Sequence, residues 1–125
     1  MTTDDRLRVL IAENHEDLAD VMSRIIDAEP DMRCVGQVAE ANEVVAAARD
    51  AQAQALILDL MLQGGSGLAL IEELKRELPA LRIIVFSGLA STDELVREAK
   101  RRGAAACVTK GCEPTILLNE LRKQS

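Results

Sequence analysis

The sequence predicts an α/β fold in which a parallel five-stranded sheet lies between two layers of helices. Short, almost continuously apolar runs alternate along the chain with segments whose apolar residues recur at helical spacing. Such runs are typical of strands that are buried on both faces of a parallel sheet. Each is followed by a helix that can return the chain for the next parallel strand. The (βα)5 order therefore favours a flavodoxin-like three-layer sandwich with strand order 2-1-3-4-5.

The first part of the chain is predicted to contain two strands and two helices. Leu7–Ala12 is a β-favouring run. From His15 the apolar residues follow an i, i+3, i+4 pattern, which indicates an amphipathic helix, and Pro30 lies just beyond its end. Met32–Val38 predicts the second strand, and Asn42–Asp50 a short second helix.

The middle of the chain is predicted to contain a strand, a helix and a further strand. The third strand is expected at Ala55–Leu58, a fully apolar run that ends at a carboxylate. Ser66 is expected to cap the third helix, and Pro79 to end it. Leu81–Phe86 is rich in β-branched residues and predicts the fourth strand.

The last part of the chain is predicted to contain a helix, a strand and a final helix. Ser91 and Glu94 have the spacing of a capping box, so the fourth helix is expected to begin there and to end at Gly103. Ala104–Thr109 predicts the fifth strand, and Pro114 suits the first turn of the fifth helix.

The composition indicates a single globular domain over residues 1–125. Apolar residues form 48% of the chain and charged residues 29%, which provides enough apolar surface for a core. No stretch approaches the ~18 apolar residues that span a bilayer, and the start is not a signal peptide. We therefore expect a cytoplasmic protein that does not associate with membranes. Three cysteines at scattered positions favour reduced, buried thiols over disulfides or a zinc site.

The charge and the aromatic content argue against nucleic-acid binding by this domain. Its formal net charge is −6, whereas non-specific affinity for nucleic acids comes from neutralising phosphates. The chain has a single Phe and neither Trp nor Tyr, so it lacks platforms for base stacking. The expected partners are proteins.

Polar side chains follow four of the predicted strands where parallel strands end side by side. They are Glu13 and Asn14 after the first strand, Asp59 after the third, Ser87 after the fourth and Lys110 after the fifth. Strand order 2-1-3-4-5 makes these ends neighbours. Carboxylates and an amide oxygen suit Mg²⁺, and a hydroxyl and a lysine suit a phosphoryl group. The pattern predicts a phosphoryl-transfer site.

With these residues at the strand ends, essentially the whole chain resembles the receiver domain of bacterial two-component response regulators. The resemblance implies that Glu13 and Asn14 stand at the positions of an acidic pair that binds Mg²⁺. It implies that Asp59 is the phosphoacceptor and that Ser87 and Lys110 contact the phosphoryl group. Such a domain is a signalling module and not an enzyme.

The resemblance also implies partners and a further metal ligand. A histidine kinase or a phosphotransfer protein would supply the phosphoryl group, and the backbone carbonyl of Met61 would bind the metal. The family uses the face of the fourth helix, fifth strand and fifth helix for partners or dimers, so that face is expected to be the surface for a partner or a homodimer. Thr109–Pro114 is similar to the transcription-factor branch of the family.

Several positions depart from the family pattern. Asn14 replaces the second acid, so a weak Mg²⁺ site is expected. Gln63 replaces a usual proline and is expected to loosen the loop after Asp59. Cys107 stands where an aromatic residue commonly couples the site to the output face. Met61 and Leu89, apolar residues near the site, are expected to slow hydrolysis of an acyl phosphate by crowding the attacking water.

Two functions remain open at this point. One is a phosphorylation-controlled receiver, which Asp59, Ser87 and Lys110 favour. The other is a phosphorylation-independent pseudo-receiver that acts as a protein-binding module, which Asn14 and Cys107 favour. A flavodoxin-like FMN carrier fits poorly, because the acidic loop after the first strand would repel a phosphate.

Overall fold

The computed structural model describes residues 5–65, 67–88 and 92–123. Five parallel strands form one sheet in the order β2-β1-β3-β4-β5, as predicted. The strands are β1 (Leu7–Ala12), β2 (Met32–Val38), β3 (Ala55–Leu58), β4 (Arg82–Ser87) and β5 (Ala106–Thr109). The helices are α1 (Glu16–Asp27), α2 (Val44–Asp50, preceded by a 3₁₀ turn at Ala41–Glu43), α3 (Gly67–Glu77), α4 (Asp93–Arg102) and α5 (Pro114–Arg122).

The sheet divides the core into two apolar layers because successive side chains of a strand point to opposite faces. Leu10 and Leu56 pack with α2, α3 and α4 on one face, and Val9 and Ile57 pack with α1 and α5 on the other. Every residue of β3 is buried, so the central strand is covered on both faces. Burial of one such Leu or Ile side chain stabilises the fold by about 1.5–3 kcal/mol.

The strand and helix limits agree closely with those predicted, and the differences have local causes. The fourth strand begins at Arg82 and includes Ser87, since Ser87 still pairs with Thr109 of β5. Gly103 ends α4 with a φ of 126°, a value that residues with a side chain rarely adopt. No helix among residues 5–65, 67–88 and 92–123 is long and apolar enough to cross a membrane.

The cap of α4 differs from the prediction by one residue. The N-cap is Thr92, whose Oγ1 accepts a hydrogen bond from the Leu95 amide at 3.1 Å. Ser91 was expected in this role, and Ser91 and Ser66 both lie outside the described residues. Adjacent hydroxyl residues offer the same capping chemistry, so local sequence does not choose between them.

The two edges of the sheet differ in length and regularity. β5 forms one edge and has only four residues, whereas β2 forms the other and has seven. The pairing of β1 with β2 shifts by one residue along β2, from Cys34 opposite Val9 to Gly36 opposite Leu10. Val35 is therefore the extra residue of a β-bulge.

Candidate functional site

Backbone hydrogen bonds that continue the sheet fix the site residues just beyond the strands. The Glu13 amide donates to Val38 O at 3.0 Å, and the Asp59 amide donates to Ala12 O at 2.8 Å. The Lys110 amide donates to Ser87 O at 2.6 Å. The residues that follow β1, β3 and β5 are thus held at the carboxyl edge of the sheet, as the sequence predicted.

Lys110 joins the two buried carboxylates of this edge. Its Nζ lies 3.1 Å from Asp59 Oδ2 and 3.0 Å from Glu13 Oε1. The Asp59 and Glu13 side chains are only 3% and 1% exposed, so their charges are poorly screened by water. The ammonium group therefore balances negative charge from two strands.

These contacts outweigh the effect of burial on both charged partners. Burial raises the pKa of Asp59, but the amide of Met61 and contacts with Glu13 and Lys110 leave that pKa below its ordinary value. Burial lowers the pKa of Lys110, but hydrogen bonds to Glu13 and Asp59 raise it above its ordinary value. Asp59 is thus a carboxylate and Lys110 an ammonium at neutral pH.

The donor atoms around Glu13 fit a divalent cation. Carboxylate oxygens of Glu13 and Asp59 and a ring nitrogen of His15 all lie within 4.8 Å of one another. Glu13 Oε2 accepts a hydrogen bond from the His15 amide at 2.9 Å, and Oε1 faces the Lys110 ammonium at 3.0 Å. Two carboxylates whose oxygens lie this close together are suitable ligands for Mg²⁺. His15 itself is the N-cap of α1, consistent with a helix-entry role.

Gln63 connects the loop after Asp59 to two other segments, which overturns the expectation of a loose loop. Its amide donates to Ala39 O at 3.2 Å, and its carbonyl accepts from the Ala41 amide at 2.8 Å. Its side-chain Nε2 donates to Asn14 Oδ1 at 2.9 Å. Proline could not make the first or the third of these bonds, so its absence allows attachment instead of loosening. Sequence reasoning missed this role because the partners are distant along the chain.

Ser87 and Met61 flank Asp59 in different ways. Ser87 is 8% exposed, at the end of β4 beside Lys110. The amide of Met61 donates to Asp59 Oδ1 at 2.9 Å. The Met61 side chain is 77% exposed, and its expected crowding of the attacking water stays a prediction. Leu89, the other residue invoked for slow hydrolysis, lies outside the described residues.

The three cysteines are free thiols, as expected, but each is half-buried instead of fully buried. Cys107 lies on β5 and packs against the apolar layer that contains α2, α3 and α4. Burial raises the pKa of its thiol, which keeps it in the unreactive protonated form. Cys107 thus makes a small apolar contact at the position where the family commonly has an aromatic ring.

Comparison with known proteins places this chain in a family. The model of the response regulator receiver domain matches residues 9–122. The nitrate/nitrite response regulator NarL of Escherichia coli is 28% identical over 123 residues, which are 98% of this chain and 56% of that protein. This chain thus spans little more than half the length of that relative.

Solved structures show the same fold. The response regulator domain of Thermotoga maritima CheB superposes with a TM-score of 0.86 at 25% identity, over 94% of both chains. A Burkholderia pseudomallei response regulator, whose structure contains a phosphorylated aspartic acid and a calcium ion, superposes with a TM-score of 0.83 at 22% identity, over 94% of this chain and 67% of that one.

The family match gives no support to the alternative function, a phosphorylation-independent pseudo-receiver that acts as a protein-binding module. Receiver domains bind Mg²⁺ at an acidic pocket, and Glu13 and Asp59 form an acidic group of that kind. The chain belongs to the receiver-domain family of response regulators, the signalling domains of two-component systems that are phosphorylated on an aspartate.

Proposed function

We propose that Asp59 is the phosphoacceptor of this receiver domain. The observation that carries the proposal is the placement of the Asp59 carboxylate between the Met61 amide and the Lys110 ammonium, which keep it ionised and oriented. One carboxylate oxygen would attack the phosphorus of a phosphohistidine or acyl phosphate. The new bond is the acyl phosphate, and the donor's bond to phosphorus breaks as its leaving group departs.

Lys110 and Ser87 contribute to this transfer in different ways. The Lys110 ammonium already contacts Asp59, so it is placed to neutralise charge on the incoming phosphoryl oxygens. Ser87 is held beside Lys110, because its backbone carbonyl accepts a hydrogen bond from the Lys110 amide. The Ser87 hydroxyl can donate a hydrogen bond to the phosphoryl group. Both groups sit on strand ends, which hold them rigidly before the donor arrives.

We assign the Mg²⁺ ligands to Glu13, Asn14, Asp59 and the backbone carbonyl of Met61. When bound, Mg²⁺ neutralises phosphoryl oxygens and helps to orient the donor. Glu13 supplies a buried carboxylate, whose side chain is only 1% exposed. Asn14 supplies an amide oxygen without a charge, which makes the site weak.

The partners follow from the family and stay proposals for this chain. A histidine kinase or phosphotransfer protein in the cytoplasm is the proposed donor. The surface of α4, β5 and α5 is the proposed partner or dimer face, since it adjoins Ser87 and Lys110. The domain's net charge of −6 leaves DNA binding, if the full protein has it, to a different part of that protein.

The test is phosphorylation by acetyl phosphate with Mg²⁺, followed by mass spectrometry. The wild type should gain a single adduct of ~80 Da, and Asp59→Asn should gain none. Asp17→Asn, a change at an exposed carboxylate on α1, is the matched control and should be phosphorylated normally. An adduct that persists in Asp59→Asn would refute the assignment. A wild type that takes no adduct would favour the phosphorylation-independent module.

A further inference from the structure

Gln63 is the residue of the site that the proposed function leaves without a role. It lies beside Asp59 in sequence and makes the hydrogen bond to Asn14 that joins the β1–α1 and β3–α3 loops. We propose that Gln63 is a positioning residue which weakens metal binding by holding the amide oxygen of Asn14. The inference rests on the proposed metal site. It says that the affinity of this site for Mg²⁺ depends on Gln63, which is not itself a ligand.

The bond occupies the only side-chain atom of Asn14 that can serve a cation. An amide offers one oxygen acceptor, whereas its nitrogen is a donor and does not bind Mg²⁺. Gln63 Nε2 approaches that oxygen to 2.9 Å. The oxygen has two lone pairs, so a cation can share it only in the direction that this hydrogen bond leaves, and a better direction requires the bond to break.

The position of Gln63 does not depend on its side chain. Two backbone bonds, to Ala39 O and from the Ala41 amide, pair it with the segment after β2. A substitution that keeps the backbone amide keeps both bonds. The side-chain contact can therefore be removed without releasing the loop that carries Met61.

The surroundings allow Asn14 to turn once it is released. Asn14, Glu13 and Gln63 line a cavity of about 340 Å³ at the end of β2, and Asn14 also borders a second, open cavity beside Lys110. Asn14 is half-buried and Gln63 is exposed. An Asn14 side chain without its Gln63 contact has space on both sides and a buried negative charge at Glu13 that favours bound cations.

The experiment is a double-mutant cycle on Mg²⁺ affinity. The variants are Gln63→Leu, which has a similar size but no donor, Asn14→Ala, and the two combined. Mg²⁺ is titrated into each protein, and binding is followed by amide chemical shifts, a measurement that needs no phosphorylation. Loss of one exposed competing hydrogen bond should lower the Kd by about three- to tenfold in Gln63→Leu. In the Asn14→Ala background the same change should have no effect.

Three results would overturn the inference. An unchanged or raised Kd in Gln63→Leu would show that the bond does not oppose the metal. An equal change in both backgrounds would show that Gln63 acts through the loop and not through Asn14. Glu13→Gln serves as a separate control: if it leaves Mg²⁺ binding unaltered, the metal site is wrong and the inference falls with it. If Glu13→Gln weakens binding while Gln63→Leu does not strengthen it, only the inference fails.

Discussion

At the scale of single residues, the site is a balance between two buried carboxylates and one ammonium. Lys110 lies about 3 Å from both Glu13 and Asp59, although 97 residues separate it from Glu13. The sequence predicted that Lys110 would face a phosphoryl group. Its contact with Glu13 was not predicted, because residue types at strand ends do not reveal which carboxylate a flexible lysine reaches.

Lys110→Met should make the stability of the domain depend on Mg²⁺. Without the ammonium, two carboxylates with almost no exposure repel each other, which should lower the free energy of unfolding by about 3–5 kcal/mol in EDTA. A divalent cation can then replace the lost charge. Thermal unfolding should therefore show a larger rise in Tm on Mg²⁺ addition than the wild type shows. An equal rise in both proteins would contradict the charge-balance account.

Asn14→Asp should strengthen the metal site. A second carboxylate beside Glu13 adds attraction for Mg²⁺ of about 1–2 kcal/mol, so the Kd should fall about tenfold. Titration of Mg²⁺ into the two proteins gives the ratio directly. Asn42→Asp, at an exposed position on the 3₁₀ turn before α2, adds the same charge and should leave the Kd nearly unchanged. Equal effects of both substitutions would indicate a general electrostatic field instead of a local ligand.

At the scale of elements, the junction between β3 and α3 is closely packed. Gly67 begins α3, and its amide donates to Leu60 O at 3.2 Å. A Cβ at Gly67 would lie 2.6 Å from Leu60 Cα, closer than side chains approach backbone. The first turn of the helix therefore sets the path of the residues that follow Asp59.

Gly67→Ala should destabilise the domain by about 1–3 kcal/mol, because the backbone around Leu60 must move to admit the methyl group. Denaturant unfolding measures the change. Gly88→Ala is the control, since a Cβ at that position meets no atom within 4 Å, and it should alter stability by no more than about 0.5 kcal/mol. Similar losses of stability in Gly67→Ala and Gly88→Ala would contradict the steric explanation.

The elements were also the part of the molecule that the sequence specified best. β1 and β2 have the predicted limits, and the apolar run of β1 ends at the polar residues Glu13 and Asn14. The attachment of Gln63 could not be foreseen, since it depends on the approach of residues 39–41 across the end of the sheet. Local patterns report which face of a segment is buried, but not which loop backbones meet.

At the scale of the whole molecule, ion pairs close the amino edge of the sheet, opposite the site. Arg122, near the end of α5, contacts both Asp31 and Glu29, which precede β2. The hydrogen bond from Arg122 lowers the pKa of Asp31 below its ordinary value of 3.8, against the opposing effect of desolvation. Residues separated by about 90 positions are thereby joined.

The stabilisation by this pair should disappear in acid. Since the folded-state pKa of Asp31 is depressed, the contribution is complete above the unfolded value of 3.8 and is lost as the pH falls through the folded value. Arg122→Gln should therefore lower Tm at neutral pH and have a progressively smaller effect as the pH falls below 3.8. Lys123→Gln, which breaks only a local pair with Glu120, is the control. A Tm difference for Arg122→Gln that is independent of pH would reject the ion-pair explanation.

The bulge at Val35 has a consequence for how this protein behaves at high concentration. An exposed edge strand offers a row of unpaired amides and carbonyls on which a neighbouring molecule can build intermolecular β-structure. β5 offers only four residues, whereas the seven residues of β2 would be a longer template if they were regular. The irregularity at Val35 divides that template into two short pieces and increases its twist. We therefore expect this one extra residue to make β2 a poorer template for aggregation than a regular strand of the same length.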